Sequence, residues 1–146
     1  GQDLYYRPET PFVAGFIGEA NRWRGRVERV EGDALILRTE SGLEMRGAAH
    51  GRELGAGDRA EVFVRPEAIR IAGDAAALEN FDNVLDGTVG SILFNGAASR
   101  VLVTDDAGEE IEVTLPQSGE FANLKRGDRV HVGWSGAQGN AFPVTV

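Results

Sequence analysis

The chain has 146 residues, room for one ordinary domain or two very small ones. Its 23 acidic and 15 basic side chains give a formal net charge of −8, the wrong sign for a non-specific nucleic-acid binder or for docking on anionic lipid. Zero cysteines exclude disulfides, thiolate metal sites and a Cys nucleophile, and no segment approaches the roughly 18 consecutive apolar residues of a membrane span.

The first twenty residues read as helical. Asp3–Tyr6 has room for one turn, stopped before Pro8 because a residue preceding proline avoids the α region. A second short helix is predicted from Thr10, an N-cap residue, and Pro11, which suits the first helical position. Phe12, Val13, Phe16 and Ile17 then share one apolar face at i, i+1, i+4 and i+5, and Gly18 ends the helix. From Arg24 onward the pattern changes to short strands. They are predicted over Arg24–Glu31, Ala34–Thr39, Leu43–Arg46, Arg59–Arg65 and Ala68–Ala72, then over Val84–Phe94, Ser99–Thr104, Glu110–Leu115, Arg129–Trp134 and Ala141–Val146. Gly32-Asp33, Glu40-Ser41-Gly42, the hairpin pair Asn95-Gly96 and Asp105-Asp106-Ala107-Gly108 supply the turns between them. The 20 glycines, about twice the ordinary share, fit so many turns. An all-β antiparallel sandwich or barrel is the expected class.

Two motifs recur in the same order. Asn21-x3-Gly25-x-Val27 returns 62 residues later as Asn83-x3-Gly87-x-Val89, and Gly57-Asp58-Arg59-Ala60-x-Val62 returns 70 residues later as Gly127-Asp128-Arg129-Val130-x-Val132. The difference of 8 predicts an insertion in the second copy, placed at Pro116–Leu124. Five short strands per copy is the strand count of the OB fold, a small partly open barrel. The expected architecture is thus tandem OB-like barrels preceded by one or two short helices. A helical junction would occupy 1–20, a first repeat 21–77 and a second repeat 78–146, with Leu78–Asp82 as linker. Each copy is marginal for an independent core, so the halves are expected to share strands or an interface.

Few residues invite chemistry. His50 and His131 are the only imidazoles, and nothing in their spacing brings them to carboxylates as a zinc site or triad requires. Asp105-Asp106 and Glu109-Glu110 lack the calcium-loop pattern and are expected at a solvated hairpin tip. The single lysine, Lys125, precedes Arg126 and Gly127 and belongs to no phosphate loop, and Gly15-x-x-Gly18 is too sparse for a dinucleotide fingerprint. Trp23 and Trp134 are expected in core or edge packing rather than as stacking platforms. Arginines outnumber lysines 14 to 1, which suits bidentate pairing with carboxylates. No residue is assigned a catalytic, cofactor-binding or metal-ligating role.

Tyr6-Arg7-Pro8-x-Thr10-Pro11-Phe12-Val13-Ala14-x-Phe16-Ile17-Gly18-Glu19-x-Asn21 resembles the junction through which ABC importer ATPases leave their nucleotide-binding domain. Val64-Arg65-Pro66-Glu67-x-Ile69-x-Ile71, then Gly87-x-Val89-x4-Phe94-x-Gly96 and Gly127-Asp128-x-Val130-x-Val132-x-Trp134, resemble in order the regulatory part that follows, the transport-associated OB (TOBE) domain. The second half is most similar to importers of spermidine/putrescine, with ferric-iron and sugar importers as relatives. The resemblance implies a non-catalytic regulatory and dimer-contact domain of the ATP-binding subunit. Its partners would be the nucleotide-binding domain of the same chain, a second copy of the ATPase and, through the complex, a membrane permease. It would lie in the cytoplasm at the inner face of the membrane, without nucleic acid and without inserting itself. ATP and Mg would be bound by the parent chain, since the Walker motifs are missing here. The resemblance marks Glu19, Asn21, Arg65, Pro66 and Glu67 as structural family positions, and the face Phe12, Val13, Phe16 and Ile17 as a brace against the nucleotide-binding domain. Arg65 and Glu67 are expected to form ion pairs that lock their strand to its neighbour. The alternative is a small-solute or oxyanion-binding module.

Overall fold

The computed structural model describes residues 20–95, 98–116 and 124–144. The expected helices lie outside them, and with them Phe12, Val13, Phe16, Ile17 and Glu19; so do Gly96 and most of the expected insertion. Among the described residues ten strands form: β1 (Asn21–Glu31), β2 (Ala34–Thr39), β3 (Glu44–Ala48), β4 (Arg59–Val64), β5 (Arg70–Ala72), β6 (Asn83–Asn95), β7 (Ala98–Asp105), β8 (Glu110–Pro116), β9 (Arg129–Trp134) and β10 (Asn140–Pro143). Each answers to a predicted strand. Short 3₁₀ turns occupy Pro66–Ala68, Ala75–Leu78 and Gly136–Gln138, so β5 begins later than expected. Leu78, expected in a linker, is 2% exposed.

The chain divides into two compact units. One, the described residues 20–65 and 135–144, is a closed barrel in the order β1-β2-β3-β10-β4. Its pairs are antiparallel except β10 with β3, which run parallel where Asn140 meets Ala48. The other, Pro66–Trp134, is a five-stranded sheet in the order β5-β9-β6-β7-β8. The orders match once β6, β7, β8 and β9 are set against β1, β2, β3 and β4. The fifth strand is exchanged: β10, from the second repeat, completes the first unit, and β5, from the first repeat, completes the second. The compact units therefore do not coincide with the stretches 21–77 and 78–146.

Both units carry the same backbone devices. Residue pairing slips by one between Val27 and Arg29 on β1, and again between Val89 and Ser91 on β6, making a bulge that coils the strand. Each bulge is held by the turn before the fourth strand. Val27 N–H donates to Asp58 O at 2.9 Å and Gly57 N–H to Val27 O at 2.7 Å; Val89, Asp128 and Gly127 repeat this at 2.9 and 2.8 Å. Gly57 and Gly127 sit at φ of +92° and +91°, where a side chain is strained. The Asp58 carboxylate accepts the Gly55 N–H at 2.8 Å and that of Asp128 accepts the Lys125 N–H at 2.8 Å, closing both turns. These contacts explain why Gly-Asp-Arg recurs.

The repeats diverge in length at two places. The offset is 62 between Gly25 and Gly87, 66 between Thr39 and Asp105, which pair with those glycines, and 70 between Gly57 and Gly127. Four extra residues thus enter around the β6–β7 hairpin, where both strands are longer, and four more between β8 and β9. The insertion expected wholly at Pro116–Leu124 is split.

Strand alternation fills each interior with branched side chains. In the first unit Trp23, Leu35, Leu37, Met45, Val62 and Val64 are at most 3% exposed; in the second Val89, Val101, Val103, Ile111, Val113 and Val132 are at most 1% exposed. Burying each large one is worth about 1.5–3 kcal/mol. Both tryptophans are in the core, as expected. At Gly25 an added Cβ would stand 2.0 Å from the Arg38 carbonyl oxygen, and at Gly87 it would stand 2.7 Å from that of Thr104; at Gly90, on the bulge, the nearest atom is 3.5 Å away. Gly25→Ala and Gly87→Ala are each expected to lower unfolding free energy by about 3 kcal/mol or more, against about 1 kcal/mol or less for Gly90→Ala. Urea denaturation of the three variants checks this, and equal losses would contradict it.

Candidate functional site

Of the family-marked residues, Asn21 and Pro66 are buried. Asn21 is buried at the start of β1 and its side-chain amide donates to Val64 O at 3.3 Å on β4; its repeat equivalent Asn83 is also buried. Pro66 is buried at the start of a 3₁₀ turn, where its missing N–H and fixed φ suit the position. Ile69 N–H donates to Pro66 O at 3.3 Å, and Ile69 is 1% exposed, so the turn is pinned by apolar burial. The expected Arg65 and Glu67 ion pairs do not form among the described residues: both side chains are exposed, because residues 65–68 turn off the sheet instead of continuing β4.

Each histidine is used locally. His50 lies in an exposed turn at φ +50°, next to Gly51, whose N–H donates to Asp33 Oδ1 at 3.0 Å. That bond, with the neighbouring His50 and Arg52 assisting, holds the Asp33 carboxyl below its ordinary range. His131 Nδ1 lies 2.6 Å from Asp86 Oδ1 across β9 and β6. Thr88, the hydroxyl next along this face, accepts from Arg129 at 3.0 Å. Among the described residues no group of three or more His, Asp or Glu could hold a metal ion.

Asp105 corrects the expectation of a solvated tip. It is 5% exposed, and its Oδ1 accepts the N–H groups of Ala107 and Glu109, both at 2.9 Å. Thr39 does the same work in the first repeat, its hydroxyl accepting the Leu43 N–H at 3.0 Å. The carboxylate is part of the turn.

What distinguishes the units chemically is the outer face of the first and fourth strands. In the first unit the buried Glu61 on β4 receives Arg24 Nη2 at 3.1 Å and Arg22 Nε at 3.4 Å from β1, both arginines being more than half exposed. In the second unit the equivalent cross-strand pair is His131 with Asp86, so the acid has moved from the fourth strand to the first. Beside it Arg129 forms a bidentate pair with Asp106 at 2.8 and 3.1 Å, which holds the Asp106 carboxyl below its usual range and raises the guanidinium. A further ladder covers β1, β2 and β3: Arg38 pairs with Glu28 and Glu44, Arg29 with Glu31 and Glu44, and Arg46 with Glu31. Sequence reasoning missed the inverted pair, although the repeat alignment already set Arg24 against Asp86 and Glu61 against His131. Glu61→Gln is expected to lower unfolding free energy by about 1–2 kcal/mol, less than the roughly 3–5 kcal/mol of a fully buried pair because both arginines can rehydrate. Glu44→Gln is expected to leave the midpoint unchanged. Chemical denaturation compares them, and a Glu44 effect as large as that at Glu61 would contradict the ranking.

Three comparisons place this geometry. The chain is 33% identical over 132 residues to the spermidine/putrescine import ATP-binding protein PotA of Rubrobacter xylanophilus, a match covering 90% of this chain and 33% of that protein. It is 33% identical over 114 residues to the sulfate/thiosulfate import ATP-binding protein CysA of Ralstonia nicotianae, covering 77% of this chain and 29% of that one. The chain thus spans about a third of the length of these relatives. Crystal structures of the cytoplasmic molybdate-binding protein ModG share the fold: TM-score 0.74 at 18% identity, over 84% of this chain and 94% of that one. The family model described as TOBE domain matches residues 62–142, running from β4 through the exchanged strand β10. With more than half its length matched, this chain belongs to the TOBE domain family.

Proposed function

We propose that this chain is the non-catalytic regulatory domain of the ATP-binding subunit of an ABC importer, with a polyamine of the spermidine/putrescine class as the transported solute. The observation that carries the reading is the match to PotA along 90% of the chain, in a sequence with no phosphate loop. In this reading ATP and Mg are held by a nucleotide-binding domain elsewhere in the parent polypeptide. The lone lysine of this chain sits in the turn Lys125–Asp128, whose N–H and carboxylate groups close on each other.

The domain would work by position rather than by chemistry. In the cytoplasm, at the inner face of the membrane, it would meet its copy on the second ATPase while the nucleotide-binding domains close and open beneath the permease. A partner that favours one arrangement shifts the cycle by its differential affinity, commonly about 1–3 kcal/mol. Densely hydrogen-bonded sheets over apolar cores suit that task, because packed cores transmit displacement instead of absorbing it.

A second reading is favoured by one observation, the fold shared with ModG, a molybdate-binding protein. In it the chain binds an oxyanion directly. The net charge of −8 opposes this reading and suits association with cations.

The parent importer, reconstituted in liposomes with and without this segment, separates the possibilities. Removal is expected to leave ATP hydrolysis in place while spermidine uptake falls by about tenfold or more. Full uptake without the segment, or ATP hydrolysis by the isolated chain, would contradict the regulatory reading. Stoichiometric molybdate binding by the isolated chain in calorimetry would replace it with the second.

A further inference from the structure

Setting the repeats on each other along their shared turns places Arg26 against Thr88, Arg59 against Arg129 and Glu40 against Asp106. In the second unit Arg129 is neutralised within the fold. Asp106 takes it in the bidentate pair described above, and the Thr88 hydroxyl accepts a third hydrogen bond. In the first unit a second guanidinium stands in place of the hydroxyl. Arg26 and Arg59 face each other directly in the β1–β4 register, and both are exposed. Like charges directly opposite on a sheet are destabilising, so this arrangement opposes the fold. Arg26 donates to the Gly57 carbonyl at 3.1 Å, but among the described residues neither it nor Arg59 takes part in an ion pair, and the exposed Glu40 makes none. Arg24 and Arg22 continue the row at alternate positions of β1, roughly 7 Å apart along the strand, and share the single carboxylate of Glu61. Four exposed arginines thus line the facing stretches of β1 and β4, where Glu61 pairs with two of them.

We propose that the outer face of β1 and β4 is a docking surface for an extended acidic segment of a partner protein, whose carboxylates occupy at Arg26 and Arg59 the place that Asp106 fills at Arg129. The second unit shows the complementary group already seated: a carboxylate, bidentate on the guanidinium. An extended segment fits because its alternate side chains repeat at the spacing of Arg22, Arg24 and Arg26, and arginine forks favour carboxylates held in a plane. The surface stands on this internal comparison and does not depend on which solute the importer carries.

The test uses the purified chain and two short acetylated, amidated peptides, one with glutamate at alternate positions among threonines and one with lysine in their place. In calorimetry at low salt the glutamate peptide is expected to bind and the lysine peptide not to bind. Arg26→Gln with Arg59→Gln is expected to weaken binding at least about tenfold, Arg129→Gln to leave it unchanged, and about 0.5 M salt to abolish it. Circular dichroism checks the fold of each variant; should the double variant unfold, each single variant is expected to weaken binding about threefold. Absence of binding at low salt, or affinity unmoved by the double or the single variants, overturns the proposal. Sulfate that binds the same arginines as tightly as the glutamate peptide also overturns it, in favour of a free oxyanion.

Discussion

The placement of β10 is the constraint on which the first barrel depends. Ala48 N–H donates to Gly139 O at 2.8 Å and Val144 N–H to Arg59 O at 2.9 Å, so the strand is tied to β3 on one side and β4 on the other. Between those ties Phe142 is fully buried, edge-on to Phe63 at 5.7 Å between ring centroids, with the Arg52 guanidinium 3.8 Å above its ring. Arg52 also donates to the carbonyls of Ala49 and Ala141, which fixes the cation where the ring can use it. The last described strand therefore closes a barrel begun more than a hundred residues earlier. Copies of about sixty residues bury too little surface to be secure alone, and exchanging one strand makes each unit rely on both halves of the sequence.

The two units share the devices that shape the backbone and differ on the outer surface. The bulge, the left-handed glycine and the aspartate that closes the turn agree between repeats to within about 0.1 Å in their hydrogen bonds. The cross-strand charges do not agree: Arg24 and Glu61 answer to Asp86 and His131. A fold whose repeated residues lie in its turns can vary its faces, and the family's relatives include ATP-binding proteins of spermidine/putrescine and of sulfate/thiosulfate import.

Much of this was legible in the sequence, for physical reasons. Strand period two, and turns that need glycine or a side-chain acceptor, leave local traces, so the ten strands and the two recurring motifs could be read directly. Strand exchange leaves no local trace. β5 and β10 occupy equivalent places in equivalent units, and residue patterning cannot say which unit each one completes. Burial set against local polarity misled the reading of Asp105, whose carboxylate is turned inward to cap its own hairpin. Among the described residues Arg65 and Glu67 form no ion pair, because Pro66 turns the chain away where the expected strand would continue. The insertion looked single because only its total was visible from two motifs. The inverted pair at Asp86 and His131 was within reach, but only for a reading that compared the repeats position by position.

Hydrogen exchange on a chain ending at Trp134, which lacks β10, tests the exchanged architecture most directly. Loss of amide protection should fall on β3 and β4, residues 44–48 and 59–64, while β6, β7 and β9 stay protected. Loss concentrated in the second unit, with the first barrel still protected, would contradict the account.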